Sequence, residues 1–506
     1  MKRVYFLLLV VSLIAILFSN SLFAQTSTIM SVSTTEREIP STTTFEPIKS
    51  INISNDRILS LAQDFGIPVE RKPYVIHHRD SIYPMDNIAD ASFFILSMEG
   101  NSNLIAAYIQ NVTITDFEYD RREDMVYFCG IQNIGNNANP IYQNIIGWIT
   151  LNQLFSGVAN IDLYPINIPN ISSTAFLKKI DFYRVLNSDD KKLSLIINDN
   201  GNTFAVQGDA NVQFPISYFI TYDLQTNNYH IQKLDKVRLT DVIHTDTKVG
   251  VVGLGDKKHL VLFVHEQYDV DIYWGKVYET YTLYEYSTDV KYSIEALDND
   301  VIIVGVSLIA DGYGRMEFTT FDISSGINLM YTQAMANNND IECRSKINDM
   351  KYDKEAKKLN IVAFDGCHLR NIIFQLEPYN TSQHTSHIVI PDKMTSIRNL
   401  LKSITIYAGI NEPCYLTIGA LDNQTYTNNS NTIAIGNLYF FDRLLYNFEN
   451  ESQCEQTKKI EIEVVSSKYE PEEILYEDHD DQFTSGVTYP VQNTNFSSVI
   501  ICNDRK

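Results

Sequence analysis

Val126-Tyr127-Phe128-Cys129-Gly130, Val249-Gly250-Val251-Val252-Gly253, Val301-Ile302-Ile303-Val304-Gly305 and Tyr415-Leu416-Thr417-Ile418-Gly419 are runs that open on an apolar or aromatic residue and close on glycine. Leu193-Ser194-Leu195-Ile196-Ile197 and Leu359-Asn360-Ile361-Val362-Ala363 share the pattern without the glycine. The first residues of these runs are separated by 67, 56, 52, 58 and 56 positions. Self-similarity at a period of this size marks a chain built from stacked copies of one supersecondary unit.

Working outward, a second element precedes several of the runs. Ile114-Thr115-Asp116-Phe117-Glu118-Tyr119-Asp120 and Ile347-Asn348-Asp349-Met350-Lys351-Tyr352-Asp353 are close copies, and Leu239-Thr240-Asp241-Val242-Ile243-His244 is a weaker one. Alternation with β-branched and aromatic residues makes each a strand. The polar stretches 121–124 and 354–358 then predict tight turns, so each pair reads as a hairpin. Downstream comes a third strand ending in an aromatic residue and Asp: Tyr222-Asp223, Phe321-Asp322 and Phe441-Asp442. A polar turn and a weaker fourth strand, such as 228–233, complete the unit.

Four short strands per unit, with little helical pattern, predict an all-β fold of radially repeated sheets. The organisation resembles a β-propeller, with the Asp-bearing strand innermost and the glycine-ended strand next to it. The resemblance covers roughly residues 73–502 and is to an architecture, as in uncharacterised exported bacterial propellers. The Gly-His and Trp-Asp dipeptides of WD40 repeats and the double glycines of kelch repeats are missing. Strand-like pieces remain at 74–78, 93–96 and 104–109, and again at 460–465 and 498–502. An open ring leaves unpaired edges, so the two ends are expected to combine into a seventh, composite blade. A β-sandwich is the alternative, because short strands at regular spacing suit it too. Ile58, Leu59, Ala62 and Phe65 follow the spacing of a short amphipathic helix before the ring.

Lys2 and Arg3, an apolar stretch over 4–18 and Ala24 ahead of polar sequence read as a signal peptide over 1–24. A Ser/Thr-rich flexible segment is expected over 25–50, and the propeller domain over 51–506. These features predict an exported chain, periplasmic, secreted or at the cell surface, with no membrane span after cleavage. The formal charge of -22 becomes -24 once Lys2 and Arg3 leave with the leader. A field of that sign repels phosphate backbones and argues against a nucleic-acid partner. The 31 Tyr and 25 Phe exclude an unfolded chain.

Asp116, Asp241 and Asp349 occupy one place in three repeats, which brings them to equivalent positions at a mouth of the channel. Converging carboxylates there are candidates for ligand or calcium binding, and the same side chains can equally accept their own backbone N–H groups. Trp274, beside Gly275 in an expected loop, is a candidate ligand platform. The acidic stretch 469–481 reads as a solvated loop. Of six cysteines, Cys343 and Cys367 fall nearly opposite one another at the open end of a hairpin and are expected to form a disulfide, which stabilises by about 3 kcal/mol for a loop of that size. No nucleophile elbow, phosphate loop or metalloprotease helix motif is present. The residues therefore favour a non-enzymatic binding or scaffold protein that recognises a protein or glycan through its loops. The alternative is a glycan-processing hydrolase or lyase with carboxylates at the channel mouth. No cofactor is expected beyond calcium.

Overall fold

The computed structural model of the chain describes residues 34–39, 45–54, 57–64, 90–97, 103–109, 112–135, 141–157, 160–168, 170–172, 175–206, 209–235, 237–255, 260–267, 272–278, 292–298, 300–310, 313–335, 346–355, 357–364, 369–375, 386–391, 400–408, 413–428, 431–444, 455–460, 463–464, 471–473, 477–482, 487–497 and 499–503. Residues 1–24, read from the sequence as a signal peptide, and both Cys343 and Cys367 lie outside these residues. Among the described residues no helix is long and apolar enough to cross a membrane.

The six repeats are six antiparallel blades of an all-β propeller, and the sandwich alternative does not hold. Blade I is Val112–Asp120, Met125–Asn133, Tyr142–Thr150 and Asn160–Pro165. Blade II is Ala175–Arg184, Lys191–Val206, Asp209–Asp223 and Asn228–Leu234. Blade III is Val237–His244, Lys248–Gly255, Leu260–Glu266 and Ile272–Tyr278. Blade IV is Tyr292–Ala296, Val301–Ala310, Tyr313–Asp322 and Ile327–Met335. Blade V is Lys346–Asp353, Lys358–Phe364, Leu369–Gln375 and Ser386–Pro391. Blade VI is Leu400–Ala408, Pro413–Asn428 and Asn431–Leu444, completed by the N-terminal strand Thr34–Ile39. From blade I to blade VI each first strand packs against the first strand of the next blade, and Phe45–Ser54 packs between those of blades VI and I, as the reading of an innermost Asp-bearing strand requires.

Both ends of the chain do meet, but not as a separate seventh sheet. Phe45–Ser54, Arg57–Asp64, Asp90–Ser97 and Asn103–Ile109 form an antiparallel closing sector between blades VI and I. Phe45 pairs with Gly436 of blade VI, and the strand Val487–Ser497 pairs with both Asn103–Ile109 and Asn160–Pro165. Blade VI, the sector and blade I are thereby one fourteen-stranded sheet.

Three local expectations are corrected here. Arg57–Asp64 is a strand and not a helix: Ile58, Leu59, Leu61 and Ala62 are all buried, because the sheet is covered on both faces. A short apolar run fits either periodicity, and two-sided burial decides for the strand. The segment 25–50 is not a spacer throughout, since Thr34–Ile39 is sandwiched between Asn431–Leu444 and Val499–Asn503. The stretch 469–481 is not simply a loop: Pro471–Glu473 and Glu477–Gln482 are outermost strands of blades III and II.

Those two strands belong to a longer course. Glu455–Ile460, Glu463–Val464, Pro471–Glu473, Glu477–Gln482 and Val487–Ser497 add an outer strand to blades V, IV, III, II and I in turn. The C-terminal segment thus runs back around the rim and saturates edges that would otherwise be open for association.

The core lies between blades. Tyr127 of blade I stacks on Phe182 of blade II with ring centroids 4.5 Å apart, and Phe219 of blade II meets Phe263 of blade III edge-on at 5.4 Å. Because neighbours cover both faces, the central residues of the second strands are buried, at every position in Lys248–Gly255, and read as continuous apolar runs. Their closing glycines answer a close approach. A Cβ on Gly130 would sit 2.2 Å from the Thr113 carbonyl oxygen, and one on Gly253 would sit 2.7 Å from that of Arg238. The predicted hairpin turns are present, with Asp124 and Lys357 in left-handed conformation at φ 55° and 54°.

Candidate functional site in the central channel

Five of the six innermost strands, and the first strand of the closing sector, carry a β-bulge, where the register shifts at Ile48, Thr115, Lys178, Thr240, Asn348 and Lys402. A bulge re-aims the residue that follows it. The residues that follow are Lys49, Asp116, Lys179, Asp241, Asp349 and Ser403. In blade IV, whose first strand pairs without a bulge, Ser293 takes the corresponding place before Ile294. Two residues further along each strand, on the same face by the strand period, stand Glu118, Asp181, Glu295 and Lys351.

The three aspartates singled out by sequence do fall at equivalent places, and each makes the same pair of links. Asp116 Oδ1 accepts the N–H of Phe117 at 2.9 Å, and its Oδ2 accepts that of Ile180 in blade II at 3.3 Å. Asp241 accepts from Val242 at 3.2 Å and from Ile294 in blade IV at 3.3 Å. Asp349 accepts from Met350 at 2.9 Å and from Ile404 in blade VI at 3.0 Å, and the Ser403 hydroxyl donates to it at 2.7 Å. The bulged threonines add a second link, with Thr115 donating to Leu177 O at 2.7 Å and Thr240 to Tyr292 O at 2.6 Å. The repeated Thr-Asp dipeptide is therefore an inter-blade latch.

Lysines missed by the sequence reading neutralise these carboxylates. Lys49 Nζ lies 3.1 Å from Asp116 and 2.5 Å from Glu118. Lys179 bridges blades at 3.8 Å from Asp116 and 3.3 Å from Asp241, the place a shared cation would take. Lys351 pairs with Glu295 at 3.1 Å, and the N–H of Tyr352 donates to the same carboxylate at 3.3 Å. His244 Nδ1 lies 3.0 and 3.1 Å from the two oxygens of Asp181. Aligning Leu177-Lys178-Lys179-Ile180-Asp181 beneath Ile114-Thr115-Asp116-Phe117-Glu118 exposes the charge alternation.

Burial pushes the Glu118 carboxyl above its ordinary range, with Asp181 and Asp116 adding repulsion and Lys49 opposing it. Glu295 is likewise raised by burial against the pull of Lys351. Burial disfavours the charged forms of Lys49 and His244, yet the neighbouring carboxylates outweigh it and hold both above their usual values. Cys129 is buried in the second strand of blade I, and burial lifts its thiol out of the nucleophilic range. Among the described residues no three His, Cys, Asp or Glu side chains are grouped to hold a metal ion.

Trp274 does not share this site. It lies in the outer strand Ile272–Tyr278 of blade III, opposite Val264, and not in a loop. The neighbouring Tyr273 is exposed and carries the Lys248 ammonium 4.2 Å from its ring centroid.

No protein-family model and no curated protein matches the chain. Among solved structures it is similar to the sialidase of Trypanosoma rangeli in complex with 2,3-difluoro-KDN, at 7% identity and a TM-score of 0.34 over 79% of this chain and 54% of that one. The chain thus spans about half the length of the sialidase. It is also similar to the β-propeller domain of the Trilobed protease from Pyrococcus furiosus, at 10% identity and a TM-score of 0.28 over 68% of this chain and 100% of that domain. These likenesses concern the fold alone.

Proposed function

We propose that this is an exported, non-enzymatic propeller that binds a protein or glycan at its periphery, as a recognition or scaffold module. The observation that supports it is the engagement of Asp116, Asp241 and Asp349. One oxygen of each carboxylate accepts the N–H of the next residue and the other accepts an N–H of the neighbouring blade, and Lys49 and Lys179 answer the charge of the first two. A group so satisfied holds the ring together and is poorly disposed to transfer protons or receive a calcium ion. The test is a glycan and peptide array probed with the mature protein, with and without calcium. Retention of a defined ligand class without turnover supports the reading, and conversion of an arrayed glycan overturns it.

A second reading, a glycan hydrolase or lyase, draws on Glu118, a carboxyl held above its usual range beside Asp181. Paired carboxyls in contrasting environments are what general acid catalysis requires. Under that reading Glu118→Gln abolishes release of sugar from an oligosaccharide panel.

A further inference from the structure

Lysines on the outer strands of blades II and III stand opposite carboxylates of the C-terminal segment. In the antiparallel register Lys233 stands opposite Glu477, His230 opposite Asp480 and Lys276 opposite Glu473. Residues 469–481 hold seven carboxylates, Glu470, Glu472, Glu473, Glu477, Asp478, Asp480 and Asp481, and no lysine or arginine. Opposite charges placed directly across a pair of strands favour that register, and like charges oppose it. Among the described residues the hold is uneven: blade II is met by the six residues of Glu477–Gln482, and blade III by the three of Pro471–Glu473. Lys276 also donates to Ser325 O at 3.4 Å, which ties the blade III edge to the turn of blade IV and keeps it presented.

We propose that the outer edges of blades II and III form a strand-docking site for an acidic extended peptide, filled in the resting molecule by Pro471–Glu473 and Glu477–Gln482 of the chain itself. Backbone pairing along a sheet edge supplies affinity in such a mode, and the charges alongside it supply selectivity. The tail is then an autoinhibitory occupant. Being tethered, it competes at an effective concentration on the order of millimolar, so an outside peptide gains the edge when the tail lets go. This rests on the reading of the protein as a binding module and names the chemistry of one partner.

The probe is a fluorescent peptide of residues 471–482, PEEILYEDHDDQ, with a control in which its acids are amides. It is titrated against the full-length protein and against a full-length variant whose Glu472, Glu473, Glu477, Asp478, Asp480 and Asp481 are replaced by Gln or Asn. The variant is expected to bind the acidic peptide at least tenfold more tightly than the unaltered protein, and the amide control weakly. Adding Lys233→Glu and Lys276→Glu is expected to weaken binding at least tenfold, and a peptide with lysines for its acids to restore it. Hydrogen exchange provides a second reading: amides 478–481 exchange faster in the neutralised variant while those of 193–197 stay protected. Equal binding to both proteins, equal binding of both peptides, or unchanged exchange at 478–481 overturns the proposal. A ligand found on the array while these tests fail sinks this inference alone, and an enzyme readout sinks the binding reading instead.

Discussion

Replacing Asp116 by alanine tests whether the channel carboxylates are structural. Asp116 is 3% exposed and accepts the N–H groups of Phe117 and Ile180. Alanine leaves both donors buried without these acceptors, and each such loss costs about 1–3 kcal/mol. Lys49 keeps Glu118 and Lys179 keeps Asp241, so neither ammonium is stranded. The sum is about 4 kcal/mol. A ring of this size unfolds with an entropy of roughly 1 kcal/mol/K, taking about 2 cal/mol/K per residue, so the melting temperature should fall by about 4 °C. Asp116→Asn keeps one acceptor and turns an NH2 toward the other N–H, and should lose about half as much. The assay is calorimetric melting of the two variants beside Asp162→Ala, an exposed position in the outer strand of the same blade. A loss under about 1 °C for Asp116→Ala, or one no larger than for Asp162→Ala, would refute the latch and return these carboxylates to the ligand candidates.

Gly253→Ala should destabilise by about 1–3 kcal/mol, because its Cβ would meet Arg238 O at 2.7 Å and Leu239 Cα at 3.1 Å, both of them backbone; chemical denaturation checks it. Stability should decline as pH rises, first from about 4.5 upward and again above about 6.5. Glu118 and Glu295, raised in the fold, hold their protons more tightly there than when unfolded, and the charged form of His244 is likewise favoured by folding, so each advantage is full at low pH and lost through the folded value. Melting curves across pH should flatten in the lower window in Glu118→Gln with Glu295→Gln, and in the upper window in His244→Gln. The hairpin of blade V pairs Tyr352 with Leu359 and, beyond its bulge, Lys346 with Phe364. Cys343 and Cys367, expected from the sequence to face one another at the open end of this hairpin, should be recovered as one disulfide by non-reducing peptide mass mapping, with the buried Cys129 as a thiol.

Much of the fold was legible because two-sided burial leaves a strong mark: second strands covered on both faces must be apolar throughout, and Val301-Ile302-Ile303-Val304-Gly305 can hardly be read otherwise. The same effect concealed the strand Arg57–Asp64, since Ile58, Leu59 and Ala62 fit a helical stripe as well as a strand buried on both sides. Glu477–Gln482 was hidden for the opposite reason. Its residues form an outermost edge strand, where charge is the ordinary defence against edge-to-edge pairing and hydrophobic periodicity is absent. The sequence repeats place Asp116, Asp241 and Asp349 at equivalent points of the innermost strands, but the lysines answering the first two stand where the Asp is replaced, so likeness between repeats does not reveal Lys49 and Lys179.

That substitution bears on where function resides. Were the channel a cation site, its equivalent positions would be expected to keep carboxylates. Instead Lys49 and Lys179 flank Asp116, and Lys351 answers Glu295, so the lumen behaves as a polar core that welds neighbouring blades. Three lysines face six carboxylates there, Asp116, Glu118, Asp181, Asp241, Glu295 and Asp349, a deficit of three against a chain total of -22. Seven of the remaining negative charges fall within residues 469–481, part of which is bound to the rim of blades II and III. An unbalanced field reaches outward only from where it is not compensated. On the binding reading proposed above, partner chemistry belongs to the outer edge of blades II and III and not to the axis, where Asp116, Asp241 and Asp349 each already hold backbone donors.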